Sequence, residues 1–366
     1  MISTVHVIGL GKVGELVARL ANDAGFEVRG FDGQDRSALG LPFPTGTVDA
    51  HDRSSIADAL AGADAVISCL PYHLNLPIAE VAHEKQVHYF DLTEDVPTTT
   101  RVRQMAESGT DVVLAPQCGL APGLIGIVGA SLTAQFAQVR SIELKVGALP
   151  QNPVGLLGYA FNWSAEGVVN EYLNDCEVVR AGVRQFVPAM TDLERVVIGG
   201  NEFEAALTSG GLGTMCETYE GEVQRLDYKT LRYPGHFEQM RFFFDELGLR
   251  DRRELAGQLL VDAKAPVDSD VVYLHAAVGG VLRDDAPDAP GQPFRKEYVR
   301  AYYPQEIDGR TWRAISWTTA ASAVAVVEMV RAGTLPPRGF IRQESICFEQ
   351  FLATTNGARF AGLDTP

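Results

Sequence analysis

The sequence predicts an α/β protein: an N-terminal, doubly wound parallel sheet, followed by a second α+β domain with a mixed or antiparallel sheet. Three observations support this prediction. A glycine-rich turn separates the first apolar strand from a helix. Short apolar segments then alternate with helical patterns up to residue 115, which is typical of parallel sheets. Beyond Gly123, strand-like segments follow one another with few helices between them, which favours a sheet of another kind.

The first thirty-two residues predict a strand, a turn, a helix and a second strand. The apolar run at 5–8 is short enough for a buried parallel strand. It is followed by Gly9-x-Gly11-x-x-Gly14 and by apolar residues at helical spacing over 13–24. Gly25 stands where a helix commonly ends. Asp32 then closes the second strand.

Each part of this unit has a physical task in binding a dinucleotide. Gly9 permits the tight turn, Gly11 lets a pyrophosphate approach the backbone, and Gly14 allows the helix to pack closely on the strand. The free N–H groups and positive dipole end of the helix N-terminus attract phosphate. Asp32 comes 23 residues after Gly9, where an acid bonds the adenine ribose hydroxyls. Its charge would repel a 2′-phosphate, so the expected cofactor is NAD, with NADP second.

The alternation of strands and helices continues after Asp32. Strands are predicted at Thr45–Asp49, Ala65–Leu70, Val87–Leu92 and Asp111–Ala115, and helices from a cap at Ser54 to Gly62, at Pro77–Lys85 and at Thr100–Ser108. Ligands of such sheets bind at the carboxyl ends of the strands. We therefore expect segments 69–72, 91–94 and 117–123 to border the cofactor. The predicted cofactor-binding residues are Gly9, Leu10, Gly11, Lys12, Val13, Gly14, Asp32, Cys69, Leu70, Pro71 and Asp91.

The second half of the chain predicts mainly consecutive strands. These strands lie at Ser141–Gly147, 177–180, Val183–Val187, Asp270–Leu282, Glu297–Tyr303 and Thr311–Ser316, and the helices at Ser164–Leu173, His236–Leu247, Glu254–Leu260 and Trp317–Ala332. The last helix is almost entirely small and apolar, so we expect it to be buried and to return to the nucleotide domain. This gives an NAD-binding Rossmann domain over 1–122, completed by 317–366, and a substrate, catalytic and dimerisation domain over 123–316.

Composition limits the partners that the protein is expected to bind. The formal net charge is −16, and an acidic chain repels nucleic acid and anionic lipid. Five widely spaced cysteines without a CxxC pair indicate a reducing compartment, so we expect the cytoplasm. The seven histidines form no HExxH pair and no Cys/His ligand spacing, so no metal site is predicted.

Four side chains are candidates for the chemistry of an amine substrate. Asp91 ends a predicted strand, where it could hold a substrate ammonium or take its proton directly or through water. Lys229 and His236 are alternative bases, and histidine titrates in the useful range. Arg232 suits a carboxylate because its planar guanidinium can make two parallel hydrogen bonds. Asp91, Lys229 and His236 also have structural interpretations: a strand-end cap, a solvated strand residue and a helix start, respectively.

The set of motifs resembles one enzyme group. Beside the glycine turn stand Cys118-Gly119-Leu120-Ala121-Pro122-Gly123, Asn162-Trp163-Ser164, Thr208-Ser209-Gly210-Gly211 and Lys229-Thr230-Leu231-Arg232-Tyr233-Pro234-Gly235-His236. Together these motifs are similar to those of the saccharopine reductase/lysine 6-dehydrogenase group, in the same order over nearly the whole chain. The resemblance implies a nicotinamide cofactor, oxidation of an amine derived from an amino acid, and a homodimer. The substrate-binding residues that it implies are Trp163, Ser164, Thr230, Arg232 and Tyr233.

Within the group, two substrates remain open. The Thr230–Tyr233 stretch and Asn162-Trp163-Ser164 resemble saccharopine reductases. Ala121, where those enzymes carry an Asp, and His236 resemble lysine 6-dehydrogenases instead. The first hypothesis is therefore oxidative deamination of L-lysine at its side-chain amine. The alternatives are a saccharopine or carboxynorspermidine-type reductase that forms a secondary amine, and a non-catalytic NAD-binding regulator.

Overall fold

A computed structural model of the protein describes residues 2–285 and 291–361. Residues 1, 286–290 and 362–366 belong to the predicted domain ranges but lie outside the described residues. The chain forms two compact units. Among the described residues, one contains 2–127 together with 316–361, and the other contains Val128–Ile315.

The N-terminal elements alternate regularly between strand and helix. They are β1 Thr4–Ile8, α1 Gly14–Asp23, β2 Glu27–Asp32, β3 Thr45–Thr47, α2 Arg53–Ala59, β4 Ala65–Ser68, α3 Asn75–Glu84, β5 His88–Asp91, α4 Val96–Glu107, β6 Val113–Ala115 and α5 Leu124–Thr133. The Gly25 backbone has a φ of +81° directly after α1, as expected for a glycine that ends a helix.

The later elements are mainly strands until the last sixth of the chain. They are β7 Phe136–Pro150, α6 Ala165–Leu173, β8 Cys176–Arg180, β9 Val183–Val187, β10 Glu194–Ile198, β11 Asn201–Leu207, α7 Met215–Tyr219, β12 Arg225–Arg232, α8 His236–Arg241, α9 Arg253–Ala263, β13 Asp270–Leu282, β14 Pro293–Tyr302, β15 Gln305–Ile307 and β16 Arg310–Trp312. The chain continues with α10 Ala314–Ala332, β17 Gly339–Phe340 and α11 Phe348–Leu352.

The first sheet has seven strands in the order β17-β6-β5-β4-β1-β2-β3, and all neighbouring strands are parallel. The strand order reverses between β1 and β4, which places a ligand-binding crevice at the carboxyl ends of these two strands. His6, which lies in β1, is only 1% exposed, and its Nδ1 is 2.7 Å from the Ala59 carbonyl oxygen. The predicted doubly wound parallel sheet is confirmed.

The second sheet is mixed. Its main path is β10-β11-β12-β7-β13-β14, and the β8–β9 hairpin joins it through β12. The β12–β7 pair is parallel, whereas the other pairs are antiparallel. The prediction of a second α+β domain with a mixed or antiparallel sheet is therefore also confirmed. None of the helices in the described ranges is long and apolar enough to span a bilayer.

The starts of three helices in the first unit differ from the predictions, and that of α3 lies at Asn75, two residues before the predicted Pro77. Asp52, and not Ser54, caps α2, because its side chain accepts a hydrogen bond from the Ser54 backbone N–H. Helix α4 begins at Val96 instead of Thr100, because Asp95 accepts a hydrogen bond from the Thr98 backbone N–H at 2.8 Å. In α2 and α4 the aspartate directly before the first helical residue supplies the acceptor that helix N-termini require.

The second unit departs further from the sequence patterns. Strands β10 and β11 and helix α7 were not predicted. The predicted strand Thr311–Ser316 ends at Trp312, and α10 begins at Ala314 because Asp270 accepts from the backbone N–H groups of Ala314 and Ile315 at 2.6 and 3.0 Å. The predicted helix His236–Leu247 has a spacing that places Leu247 on the same face as the buried Phe244. Leu247 is instead 55% exposed, because the helix continues as a π-turn over Phe242–Glu246, which rotates later residues out of the α-helical register.

Candidate cofactor and substrate-binding sites

The three glycines of the first turn meet different surroundings. A Cβ at Gly9 would lie 2.9 Å from the Cys69 carbonyl oxygen, and the Gly9 φ is +92°. A Cβ at Gly14 would lie only 1.7 Å from the Gly9 carbonyl oxygen. A Cβ at Gly11 would meet no atom within 4 Å. Two glycines are thus required by the fold itself, whereas the third leaves open space where a phosphate can approach the backbone.

The predicted cofactor residues after β1 and β4 border this turn. Leu10 is buried and Lys12 is exposed, and Cys69 and Leu70 follow β4 directly. The Cys69 backbone N–H donates to the Ile8 carbonyl at 2.8 Å, which joins the ends of β4 and β1. Burial, with a smaller effect of Asp91, raises the pKa of the Cys69 thiol, so this cysteine is neutral. Val13 and Pro71 belong to the same two loops and have partly or fully exposed surfaces.

Asp32 is held at the carboxyl end of β2. Its carboxylate accepts from the backbone N–H groups of Leu10 at 2.8 Å and Gln34 at 3.0 Å. The Arg36 guanidinium lies 3.3 Å from the same carboxylate. Asp32 therefore connects the glycine turn to the end of β2, in the position where an acid recognises a ribose. The open approach at Gly11 and this acid together fit a dinucleotide.

Asp91 is a fully buried carboxylate that holds two strand ends together. It is 0% exposed and accepts from the Tyr89 hydroxyl at 2.6 Å, the Thr93 N–H at 3.0 Å and the Gln117 N–H at 2.8 Å. Burial raises its pKa to about 6, although these hydrogen bonds oppose the increase. Gln117 has a φ of +67°, so Asp91 also holds a strained backbone position at the start of the 117–123 loop.

We expect Gly11→Ala to lose dinucleotide binding without losing stability. Because the new methyl group meets no protein atom, the free energy of unfolding should stay within about 0.5 kcal/mol of the parent. Titration with NADH, followed by its fluorescence, should show an affinity at least about tenfold lower. The matched variant Gly14→Ala should instead lose roughly 1–3 kcal/mol of stability through overpacking. Unchanged NADH affinity in folded Gly11→Ala would contradict this assignment.

We expect Asp91→Asn to change how stability depends on pH. The folded protein holds the Asp91 proton up to about pH 6, whereas an unfolded aspartate loses it near pH 4. The stability contributed by this group is therefore complete below about pH 4 and is lost as the pH rises to 6.

Relative to the parent, Asp91→Asn should gain roughly 1–3 kcal/mol across this window. Chemical denaturation of both proteins at several pH values measures the difference. A difference that is constant between pH 4 and pH 7 would show that Asp91 does not titrate in this range.

In the second unit, Arg232 is a buried guanidinium at the end of β12. It is 2% exposed, and its Nε donates to the Tyr172 hydroxyl at 2.6 Å while its Nη1 donates to the Leu231 carbonyl at 2.9 Å. The guanidinium carbon lies 4.5 Å from the centre of the Tyr159 ring. Within the described ranges Arg232 takes part in no ion pair, although the buried Glu171 carboxylate acts on its charge and raises its pKa.

His236 lies beside Arg232 and is also buried, with 1% exposure. Its Nε2 is 2.9 Å from the Tyr172 hydroxyl, and its Nδ1 is 2.8 Å from the Leu157 carbonyl oxygen. Burial and the charge of Arg232 lower its pKa to about 3. His236 is therefore a neutral imidazole at physiological pH, with both ring nitrogens bonded.

Lys229 is separated from this group by the alternation of side chains along β12. Residues three apart on a strand point to opposite faces, so Lys229 and Arg232 lie on different faces of the sheet. The Lys229 ammonium lies 3.1 Å from the Glu194 carboxylate and donates to the Asp192 carbonyl. The structure thus brings Arg232 and His236 together but does not bring Lys229 to them.

The remaining predicted substrate residues have partners within the protein. Trp163 Nε1 donates to the Tyr159 hydroxyl at 3.2 Å, and this contact places it next to the ring that covers Arg232. The Ser164 hydroxyl caps α6, the Thr230 hydroxyl is 2.6 Å from that of Thr208, and the Tyr233 hydroxyl donates to the Pro150 carbonyl at 2.9 Å.

Sequence reasoning missed Tyr159 and Tyr172, the two aromatic partners of Arg232. Tyr172 lies on the predicted helix α6, 60 residues before Arg232, and its spacing gives no signal of this contact. Tyr159 lies in the segment between β7 and α6, where no periodic pattern exists. In the described part of the chain, no group of three histidine, cysteine, aspartate or glutamate side chains has the arrangement of a metal site.

The fold and the glycine turn define a class of protein: a two-unit α/β protein with an N-terminal domain of the dinucleotide-binding type. The sequence model of the saccharopine dehydrogenase NADP binding domain matches residues 5–112, and that of the saccharopine dehydrogenase C-terminal domain matches residues 119–356. The chain therefore belongs to the saccharopine dehydrogenase family, as the motifs predicted. This family consists of NAD(P)-dependent oxidoreductases that act on CH–NH groups, so the protein is such an enzyme and uses a nicotinamide cofactor and a small-molecule substrate.

One solved structure shares this fold over nearly the whole chain. Apo saccharopine dehydrogenase (L-Glu forming) from Saccharomyces cerevisiae is 16% identical, with a TM-score of 0.75 over 96% of this chain and 98% of that chain. A probable dehydrogenase from Thermotoga maritima is 10% identical, with a TM-score of 0.45 over 98% of this chain and 97% of that chain. The yeast enzyme shares the fold of the whole chain, and at this identity the likeness carries no information about substrate.

Proposed function

We propose that the protein is an NAD-dependent dehydrogenase that oxidatively deaminates a free diamino acid, with L-lysine at its 6-amino group as the first candidate. The observation that carries this proposal is the charge at Arg232. Of the buried cations described, Lys145 and Lys229 both lie within 3.3 Å of Glu194, whereas Arg232 has no ion pair. One guanidinium that is outside any ion pair and keeps unused N–H groups suits a substrate with one carboxylate. Saccharopine, with three carboxylates, would need more such groups.

The residues divide the work between the two units. A bound nicotinamide ring supplies the hydride acceptor for such an oxidation. The glycine turn and Asp32 hold the dinucleotide, and Arg232 holds the substrate carboxylate through its free N–H groups. We assign the NAD-binding role to residues 1–122 with 317–366, and the substrate, catalytic and dimerisation roles to 123–316. The homodimer and the cytoplasmic location stay predictions.

The substrate ammonium must lose a proton before a hydride can leave its carbon. Lys229 is paired with Glu194 on the opposite face from Arg232, and His236 is neutral with both nitrogens bonded. We therefore keep Asp91 as the candidate acceptor, since with a pKa of about 6 it is ionised at neutral pH. Because Asp91 is fully buried, the proton would reach it through a water molecule.

The substrate proposal is tested by offering purified protein NAD with a panel of free amino acids and diamines, and following reduced cofactor. We expect turnover with L-lysine and release of ammonia. If no amine reduces NAD, but NADH is oxidised in the presence of an aldehyde and glutamate, the saccharopine-type reductase would be favoured. The Thr230–Tyr233 stretch is similar to that of such reductases. NADH binding without turnover in either direction would favour the regulator.

We expect Arg232→Ala to raise the KM for L-lysine by about 100-fold, because a charge-assisted, two-bond contact to the carboxylate is lost. Arg232→Lys is the matched control, since it keeps the charge but cannot form the planar fork. Its KM for L-lysine should lie between those of the parent and Arg232→Ala. Diamines without a carboxylate should be turned over equally by all three proteins. An unchanged KM in folded Arg232→Ala would remove Arg232 from the substrate site.

We also propose NAD rather than NADP, because the Asp32 carboxylate at the end of β2 would repel a 2′-phosphate. The Arg36 guanidinium beside it is the feature that would favour NADP. Asp32→Ala should weaken NADH binding by roughly tenfold or more, through loss of charged hydrogen bonds, while NADPH binding changes little. Arg36→Gln is the control and should leave NADH affinity unchanged. Equal losses for both cofactors in Asp32→Ala would contradict the ribose assignment.

A further inference from the structure

For a neutral His236 ring, the hydrogen bonds around it form a chain with only one consistent direction. A backbone carbonyl can only accept, so the His236 Nδ1 that contacts the Leu157 oxygen carries the ring proton. The opposite nitrogen, Nε2, is then a bare acceptor, and the Tyr172 hydroxyl donates to it. The Tyr172 oxygen in turn accepts from Arg232 Nε, because a guanidinium can only donate.

This chain determines which edge of Arg232 remains for a ligand. Of the five guanidinium N–H groups, one is bonded to Tyr172 and one to Leu231. The N–H groups left over belong to Nη1 and Nη2, which form the fork that binds carboxylates through two parallel bonds. The Tyr159 ring, 4.5 Å from the guanidinium carbon, restricts the plane of that fork further.

The same histidine connects Arg232 to the segment before α6. The Leu157 carbonyl accepts the hydrogen bond from His236 Nδ1, and the Tyr159 ring lies against both Arg232 and His236. Both residues belong to the segment between β7 and α6. Glu204 secures the other side, because its carboxylate accepts from the Gly235 and Phe237 backbone N–H groups at 2.9 and 2.6 Å. His236 is thus fixed from both sides.

We propose that His236 is a positioning and specificity-determining residue: as the Nδ1-protonated neutral tautomer it orients Tyr172 and Arg232 and holds the Leu157–Tyr159 segment over the guanidinium, so that the Nη1–Nη2 edge meets a substrate carboxylate. This inference rests on the proposed function for the identity of the ligand. It assigns His236 no proton transfer to substrate. A protonated ring would turn the Nε2 acceptor into a donor and break the chain at Tyr172.

The charged and titratable groups around the ring are consistent with this state. Arg232 on β12 disfavours a second positive charge, and the hydroxyls of Tyr159 and of Tyr172 on α6 are kept neutral by burial, which raises the pKa of each. Glu171 on α6 acts on both tyrosines and on Arg232. The carboxylate of Glu204 bonds backbone and not the imidazole.

The first test reads the tautomer directly and needs no substrate. Protein labelled with 15N in histidine is followed by NMR from pH 5 to pH 8.5, and the His236 ring is assigned as the signal missing from His236→Gln and displaced in Tyr172→Phe. We expect an Nδ1-protonated ring that does not titrate. An Nε2-protonated ring, or a charge change within this range, would overturn the proposal even if no substrate had been found.

The second test separates positioning from proton transfer. Tyr172→Phe and His236→Leu should each raise the KM for the carboxylate-bearing substrate about tenfold, with kcat within about threefold of the parent. His236→Gln keeps an acceptor for Tyr172 and should recover part of the loss. The KM of the double variant Tyr172→Phe/His236→Leu should be no higher than that of either single variant, because each substitution alone already breaks the same hydrogen-bond chain.

If His236 were instead the base, His236→Leu would lower kcat by two orders of magnitude or more and remove a limb of the pH–rate profile. That outcome would contradict the positioning role. Should the amine panel yield no turnover at all, the proposed function fails, whereas the NMR result still decides the tautomer. The two failures are therefore distinguishable.

Discussion

The close approach of Gly14 to the Gly9 carbonyl is the constraint on which the first unit depends. No side chain fits between these two residues, since even a Cβ would lie 1.7 Å from the oxygen. This contact fixes where α1 begins relative to the end of β1. Because the neighbouring strands are parallel, their carboxyl ends then fall at the same edge of the sheet. The open space at Gly11, the acid on β2 and the loop after β4 meet there as a consequence.

Both units place buried charges where hydrogen bonds fully account for them. Asp91 joins the ends of β5 and β6 through three donors, and Asp270 begins α10 through two backbone N–H groups. Glu328, buried within α10, accepts from the backbone N–H groups of Thr355 and Asn356. Arg232 differs from these three because its two hydrogen bonds leave N–H groups of Nη1 and Nη2 unused. That difference separates a structural charge from one available to a ligand.

The sequence was sufficient to predict the parts of the fold that depend on local signals. The glycine turn, the alternation up to β6, the β8–β9 hairpin and the bounds of β13 all depend on residues near one another in the chain. The start of α10 could not be predicted, since its cap is Asp270, 44 residues earlier. The exposure of Leu247 follows from a π-turn, which has no periodic signature. In the candidate site, Arg232 and His236 could be predicted because they belong to one short sequence motif. Tyr159 and Tyr172 are distant in sequence and contact them only through the tertiary fold.

The position of β17 has a consequence for how the protein is made. This strand pairs with β6 in the first sheet, yet more than 220 residues separate Ala115 from Gly339. On the ribosome, strands β1–β6 emerge before the second unit, whereas the apolar helix α10 and β17 emerge only after it. Until then β6 is an unpaired edge, and such edges invite pairing with other chains. The described part of the second unit is one continuous segment, Val128–Ile315, so its strands can pair as soon as this segment has been synthesised.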